Sequence, residues 1–401
     1  MDLTTSRRML LAMICGVAVA TVYVAQPVLA QIGSDLGVTE SNLGWIITVG
    51  QLGYLVGLVL LVPLGDMVDR RALITAHLLA SAAGVGLAAV AGQLWFLLAG
   101  LGLAGLFAVV VQTTVAYAAD LSTPAERGRT LGVVTSGVIT GILAARVLAG
   151  ALAAFAGWHS VYATLALLLA VLAYLAWKLL PTDARTTRAS YGAVLSSLGG
   201  LFRQRVFLSR GLIAFFLFAS FGTLWSGLAL PLAAAPWHLD TAQIGLFGIA
   251  GLAGALGAAR AGHWADHGRA NTVTGLALLL LAASWWATGQ ATWSLALVVV
   301  GVIALDFAVQ AVHVSNQHTL TTTYPDRTSS AIGGYMLFYS LGSALGATAT
   351  TSLYATTGWH GSSVLGTGFA LAALAVWATT RGAVRPGSRG TLTSGGIRPR
   401  C

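Results

Sequence analysis

Charge is scarce in this chain. Only 8% of its 401 residues are charged, against 57% hydrophobic, whereas a soluble domain carries about a quarter charged residues. A water-soluble fold of this length could not cover its surface with so few charges, so that class is excluded. Cysteine is nearly absent too. Cys15 and Cys401 support no disulfide framework. No GxSxG, HExxH or P-loop pattern occurs, and the polar loops are too short for a catalytic domain. A membrane-embedded enzyme is therefore the weaker reading, since it needs a nucleophile–base or His–acid constellation at one depth.

Apolar runs take the place of charge. A helix needs about 20 apolar residues to cross a bilayer, and such runs recur from end to end. We number them spans 1–12, near 9–30, 42–64, 73–92, 94–119, 130–154, 159–180, 207–233, 241–262, 271–288, 292–321, 330–356 and 360–380. The expected class is an all-α membrane protein of twelve transmembrane helices. The opening RRMLLAMICGVAVA has the basic start and short apolar core of a signal peptide. Eleven later spans favour a retained first helix.

The net charge of +9 does not point to nucleic acid, because of where the basic residues fall. Arg7, Arg8, Arg70, Arg71, Arg127, Arg129, Arg203, Arg205 and Arg327 all lie in the N-terminal tail or in even-to-odd connections. Opposite-side loops contain no Lys or Arg but do contain Asp35, Glu40 and Asp240. This positive-inside bias puts both termini in the cytoplasm.

The chain also repeats itself. Phe107-Ala108-Val109 recurs at Phe307, Gly157-Trp158-His159 at Gly358, Pro124 at Pro325 and the Gly65-to-Asp69 segment at Gly262, with offsets of 197 to 201 in unbroken order. The expected division is an N-terminal six-helix bundle (1–180), a basic surface linker (181–206), a C-terminal six-helix bundle (207–380) and a disordered tail (381–401). Duplicated halves place a binding site at their interface near the bilayer midplane. Glycine pairs at Gly53/Gly57, Gly137/Gly141 and Gly342/Gly346, and the row Gly248, Gly251, Gly254, Gly257, allow close helix approach. They suit static packing or sliding surfaces on spans 2, 5, 8 and 11. Trp158, Trp237, Trp293 and Trp359 lie at span ends and read as interfacial anchors.

The loop PLGDMVDRRALI (63–74), between spans 2 and 3, resembles the signature loop of the major facilitator superfamily, and GHWADHGRA (262–270) resembles its degenerate second copy. QLGYLVGLVLLVPLGD (51–66) and QAVHVSNQ (310–317) look like a bacterial branch grouped with drug and metabolite efflux permeases. The resemblance implies two pseudo-symmetric bundles and a secondary transporter in the bacterial plasma membrane, monomeric, without cofactor and driven by the proton gradient. Its partners would be a small-molecule substrate, protons and the lipid bilayer, not nucleic acid. It also implies a cytoplasmic gate at Gly65, Asp66, Asp69, Arg70 and Arg71, echoed at Gly262, Asp266 and Arg269. A carboxylate can hold helix N-terminal amides and nearby guanidiniums in one state and release them in another; plain topogenic charge is the other account of the arginines. The chain departs from drug–proton antiporters in LLAGLGLAGL (97–106), which has no arginine, and at Gly141, which precedes Ile142 rather than Pro. Export by antiport is the leading reading, proton symport or uniport of a metabolite such as a sugar the second, and a receptor the third.

Polar residues inside the spans mark the candidate site. In DFAVQAVHVSNQH (306–318), Asp306, Gln310, His313 and Gln317 share one side of a helix, with Asn316 beside them. A lone mid-bilayer carboxylate must be protonated, paired or wetted, and Arg146 in span 5 needs an anion as much as Asp306 needs a cation. The two are expected to meet across the halves as a coupling element or as a permanent structural pair. His313 either titrates or hydrogen-bonds a neighbouring helix. His313 and His318 point about 140° apart on a helix, so no metal site is expected. Gln26, Gln51, Gln112, Trp225, Tyr335 and Tyr339 are further cavity candidates, or else packing groups.

Overall fold

In hydrocarbon every backbone N–H and C=O must find a partner within the chain, and a helix satisfies all of its own. The computed structural model describes residues 4–123, 126–182, 192, 199–257, 270–324 and 328–381. Among them every regular element is helical. Among the described residues nine helices are long and apolar enough to cross a membrane. Two of these, Arg127–Leu179 and Thr328–Thr380, contain two spans each, because the backbone leaves helical geometry at Gly157 (φ 76°) and Gly358 (φ 63°). The helix Thr241–Gly257 supplies span 8. All twelve expected spans are thereby present. Most of the 181–206 linker, and the tail beyond residue 381, lie outside the described residues.

The repeated Gly-Trp-His now has a structural meaning. Each glycine takes a left-handed φ that favours glycine, and the tryptophan that follows folds inward. Trp158 is fully buried and donates to Asp35 (2.9 Å); Trp359 is 4% exposed and donates to the Thr288 carbonyl (2.8 Å). Both are packing groups rather than interfacial anchors, because the tight turn leaves the indole over its own bundle. Trp293, at 65% exposure, remains at the surface.

Prolines bend spans 1 and 7 at matching places. Span 1 is split into Thr5–Tyr23 and Ala25–Leu36 around Val24, and span 7 into Arg205–Gly227 and Ala229–Ala233 around Leu228. Pro27 and Pro231 each lie four residues beyond the last residue of the first piece, where a proline ring meets the i−4 carbonyl. The bends fall beside Gln26 and Trp225, so they shape the candidate site.

The glycine pairs turn out to serve packing within each half. A Cβ on Gly53 or Gly57 of span 2 would meet the backbone of span 4 at Gly102 and Leu106; on Gly137 or Gly141 of span 5, that of span 1 at Ala12 and Gly16. In the second half, Gly342 and Gly346 of span 11 lie on Phe215 and Ala219 of span 7, and Gly254 of span 8 on Ile303 of span 10. The seam between halves uses other residues. Span 2 meets span 11 where the Gly44 N–H donates to Thr351 (3.0 Å), Thr48 to the Ala344 carbonyl (3.1 Å), and Ser340 to the Gln51 carbonyl (2.6 Å). Span 5 meets span 8 at Gly150 and Gly245, where Thr241 donates to the Gly150 carbonyl (3.0 Å). These contacts run from mid-span toward the face opposite the termini.

Candidate functional site

Arg146, near the middle of span 5, is 2% exposed. Its Nε donates to Gln26 Oε1 of span 1 at 3.0 Å, and its guanidinium lies 3.7 Å from the centroid of the Trp225 ring of span 7. Tyr23 and Phe221 complete an aromatic surround, with ring centroids at 5.3 and 5.8 Å. A desolvated cation over an indole gains about 2 kcal/mol.

Asp306 lies at the N–H edge of that indole. The Trp225 Nε1–H points at Asp306 Oδ1 over 3.4 Å, and Asp306 is 4% exposed. The expected direct pairing with Arg146 is not what the structure contains: the indole of Trp225 touches both groups, its face on the guanidinium and its N–H edge on the carboxylate. Each retains a buried polar atom, Arg146 Nη2 and Asp306 Oδ2, with no hydrogen-bond partner among the described residues. Gly251 of span 8 makes room for the carboxylate, since a Cβ there would come 2.8 Å from Asp306 Oδ2 and 2.9 Å from the Trp225 ring. A small pocket at the seam is lined by Arg146, Gln26, Trp225, Pro27, Leu228 and Ile244.

His313 stands two turns along span 10 from Asp306, about 10 Å away along the axis. It pairs with the Tyr335 hydroxyl of span 11 (3.0 Å) and with Gln317 (3.1 Å), and its ring meets Phe218 edge-on. Gln310 is half-buried on the same helix. Asn316 is fully buried and accepts from Arg210 (3.1 Å). Arg210 was not singled out from the sequence, yet it is 1% exposed. Its signal was an arginine three residues inside the apolar run 207–233.

Tyr339 meets the Tyr23 hydroxyl across the seam. Gln112 donates to the Tyr54 hydroxyl (2.6 Å), joining spans 4 and 2. The Gln51 side chain is buried with its Oε1 unpartnered. Tyr23, Tyr54 and Phe221 had no sequence signal beyond being aromatic in a span.

The loop after span 2 is braced inside its own bundle. Asp69 caps the helix Arg70–Ala89 by accepting from the Arg71 N–H (3.2 Å). Arg70 donates to the Gly65 carbonyl (2.9 Å) and pairs with Asp120 (2.7 Å), while Arg71 stacks 4.3 Å over Trp177. Arg8 pairs with Glu126 (2.6 Å) on the same face. Glu126 and Asp120 keep 39% and 49% of their side chains exposed, so each pair contributes about 1 kcal/mol or less. Asp66 closes the short turn Val62–Asp66; Gly262, Asp266 and Arg269 lie outside the described residues.

Comparison with known proteins agrees with this architecture. The chain is 39% identical over 377 residues to the uncharacterized transporter YgaY of Escherichia coli O157:H7, covering 94% of this chain and 96% of that one. It is 34% identical to "Probable transporter SCO4007" of Streptomyces coelicolor, over 88% of this chain and 82% of that one. Among solved structures, a bacterial homolog of the human lysosomal transporter Spinster, inward-facing and unoccupied, superposes with a TM-score of 0.78 at 15% identity, covering 93% and 96% of the two chains. The human organic anion transporter MFSD10 superposes with a TM-score of 0.65 at 18% identity, over 94% and 100%. The family and these relatives are transporters, not enzymes, which sets the catalytic reading aside. The family model for the Major Facilitator Superfamily matches residues 9–230 and 212–398, and the chain belongs to that superfamily as a multi-pass membrane transporter.

Proposed function

We propose that the chain is a proton-coupled secondary transporter of a small organic compound, working by alternating access of its two bundles. The observation that carries the reading is Asp306: deeply buried, with one carboxylate oxygen unpartnered, and held beside the seam by Trp225. A carboxylate in that position is a group that can carry a proton in one state and release it in another. The energy source is the proton gradient, with no cofactor required.

Export by antiport is the direction that the branch resemblance favours. The seam contacts lie toward the face opposite the termini; with the basic loops in the cytoplasm of a bacterial plasma membrane, that arrangement suits loading from the cytoplasm. A specific observation supports symport as the second reading: the seam pocket is lined by Arg146 and not by Asp306.

The test uses inverted membrane vesicles with an imposed pH gradient. A growth screen of deletion and overexpression strains over toxic compounds and metabolites supplies the compound to follow. Wild-type vesicles move it in response to the gradient, and Asp306→Asn abolishes that response with expression unchanged. Gradient-driven flux fully retained in the variant removes Asp306 from the mechanism.

A further inference from the structure

We infer that the pocket at Arg146 binds the carboxylate of a small organic acid whose flat apolar body lies against Trp225, Leu228 and Ile244. The inference rests on the proton-coupled reading only for its link to Asp306. The binding claim stands on the buried, incompletely partnered Arg146 and the apolar groups beside it.

The cation comes first. A guanidinium does not give up its charge in a protein, and at 2% exposure Arg146 is cut off from bulk water. Its direct partners, the Gln26 amide oxygen and the Trp225 ring, are both neutral. One of its terminal nitrogens has no partner among the described residues. Buried charge is costly unless matched and hydrogen-bonded, so an incoming anion gains both the charge and the open donor.

The neighbouring groups narrow the choice. The titratable side chains around Arg146 are Tyr23 from span 1, Tyr339 from span 11 and Asp306 from span 10. Span 8 offers Ile244 and Gly245, and span 7 offers Trp225 and Phe221, none of them charged. A cationic compound entering the pocket would meet Arg146 before Asp306 and be repelled. A polyol would find Pro27, Leu228, Ala229 and Ile244 on the walls and few partners for its hydroxyls. A planar carboxylate matches the guanidinium, and an apolar ring behind it matches the walls.

A coupling consequence follows. Among the described groups around Arg146, Asp306 is the one acid. A proton on it removes the negative charge near Arg146 and leaves the guanidinium to hold the substrate anion more strongly. Proton and acid then bind cooperatively, each raising the affinity of the other by the same factor. Binding partners that help each other travel together, so this inference favours the symport direction.

The experiment measures binding of benzoate, phenylacetate and 1-naphthoate to the full-length protein in detergent by calorimetry, beside their amides and benzylammonium. The acids bind better than their amides, and affinity rises as pH falls from about 8 to 6. Arg146→Gln weakens acid binding roughly tenfold or more. Arg146→Lys keeps the charge, retains part of the affinity, and shows that loss in the glutamine variant is not misfolding. Asp306→Asn binds the acids without dependence on pH. Benzylammonium binding more tightly than benzoate, no acid exceeding its amide, or Arg146→Gln binding like wild type each overturns the inference. Intact acid binding with no gradient-driven flux instead refutes proton coupling alone.

Discussion

At the scale of single residues, the site is arranged around one indole. Trp225 presents its face to Arg146 and its N–H to Asp306, so one side chain positions both the cation and the acid while no direct hydrogen bond joins them. Trp225→Ala should weaken substrate binding by the lost ring contact, about 1 kcal/mol or roughly fivefold, read as a rise in KM for flux. Gly251→Ala is the complementary change. The added methyl would press on Asp306 Oδ2 at 2.8 Å and on the Trp225 ring at 2.9 Å. Its expected outcome is normal membrane insertion with gradient-driven transport largely lost; unchanged transport would mean that the carboxylate is not confined there. Asp306 and Arg146 were legible in the sequence because a charge inside an apolar run is conspicuous. The contact of Trp225 with both was not, since nothing in linear order says which aromatic of span 7 faces span 5.

Among the elements, glycine decides which helices touch. The pairs in spans 2, 5 and 11, and Gly254 in span 8, let two backbones meet where lipid supplies no hydrophobic drive for association. Their placement within each bundle, rather than at the seam, makes them rigidifying contacts. Gly57→Val or Gly346→Val should therefore overpack a helix pair at a cost of about 1–3 kcal/mol and lower the unfolding temperature in detergent. Gly132→Val and Gly368→Val, where a Cβ meets open space, should leave it unchanged. Equal effects at all four positions would contradict this division. The GxxxG spacing announced close packing, but the partner helix depended on which face turned inward.

The whole molecule holds its halves together along spans 2 with 11 and 5 with 8, on the side away from the termini. Thr48 and Thr348 approach with hydroxyls 2.5 Å apart across that seam. With Cys15 and Cys401 replaced, Thr48→Cys combined with Thr348→Cys should form a disulfide that abolishes flux, and reductant should restore it. Transport that survives the cross-link would show that the halves need not part there. Length, apolar runs, the placement of arginines and the internal repeat were enough to foresee twelve membrane helices in two related bundles, because hydrocarbon leaves a backbone so few alternatives. The repeat also marked Gly157 and Gly358 as equivalent turns, although not that Trp158 and Trp359 would fold beneath them. Which polar residues converge was a tertiary matter. Gln26, Arg146, Trp225 and Asp306 come from spans 1, 5, 7 and 10, and only packing, with its glycine contacts and proline bends, sets the rotation of each helix that brings those side chains to one place.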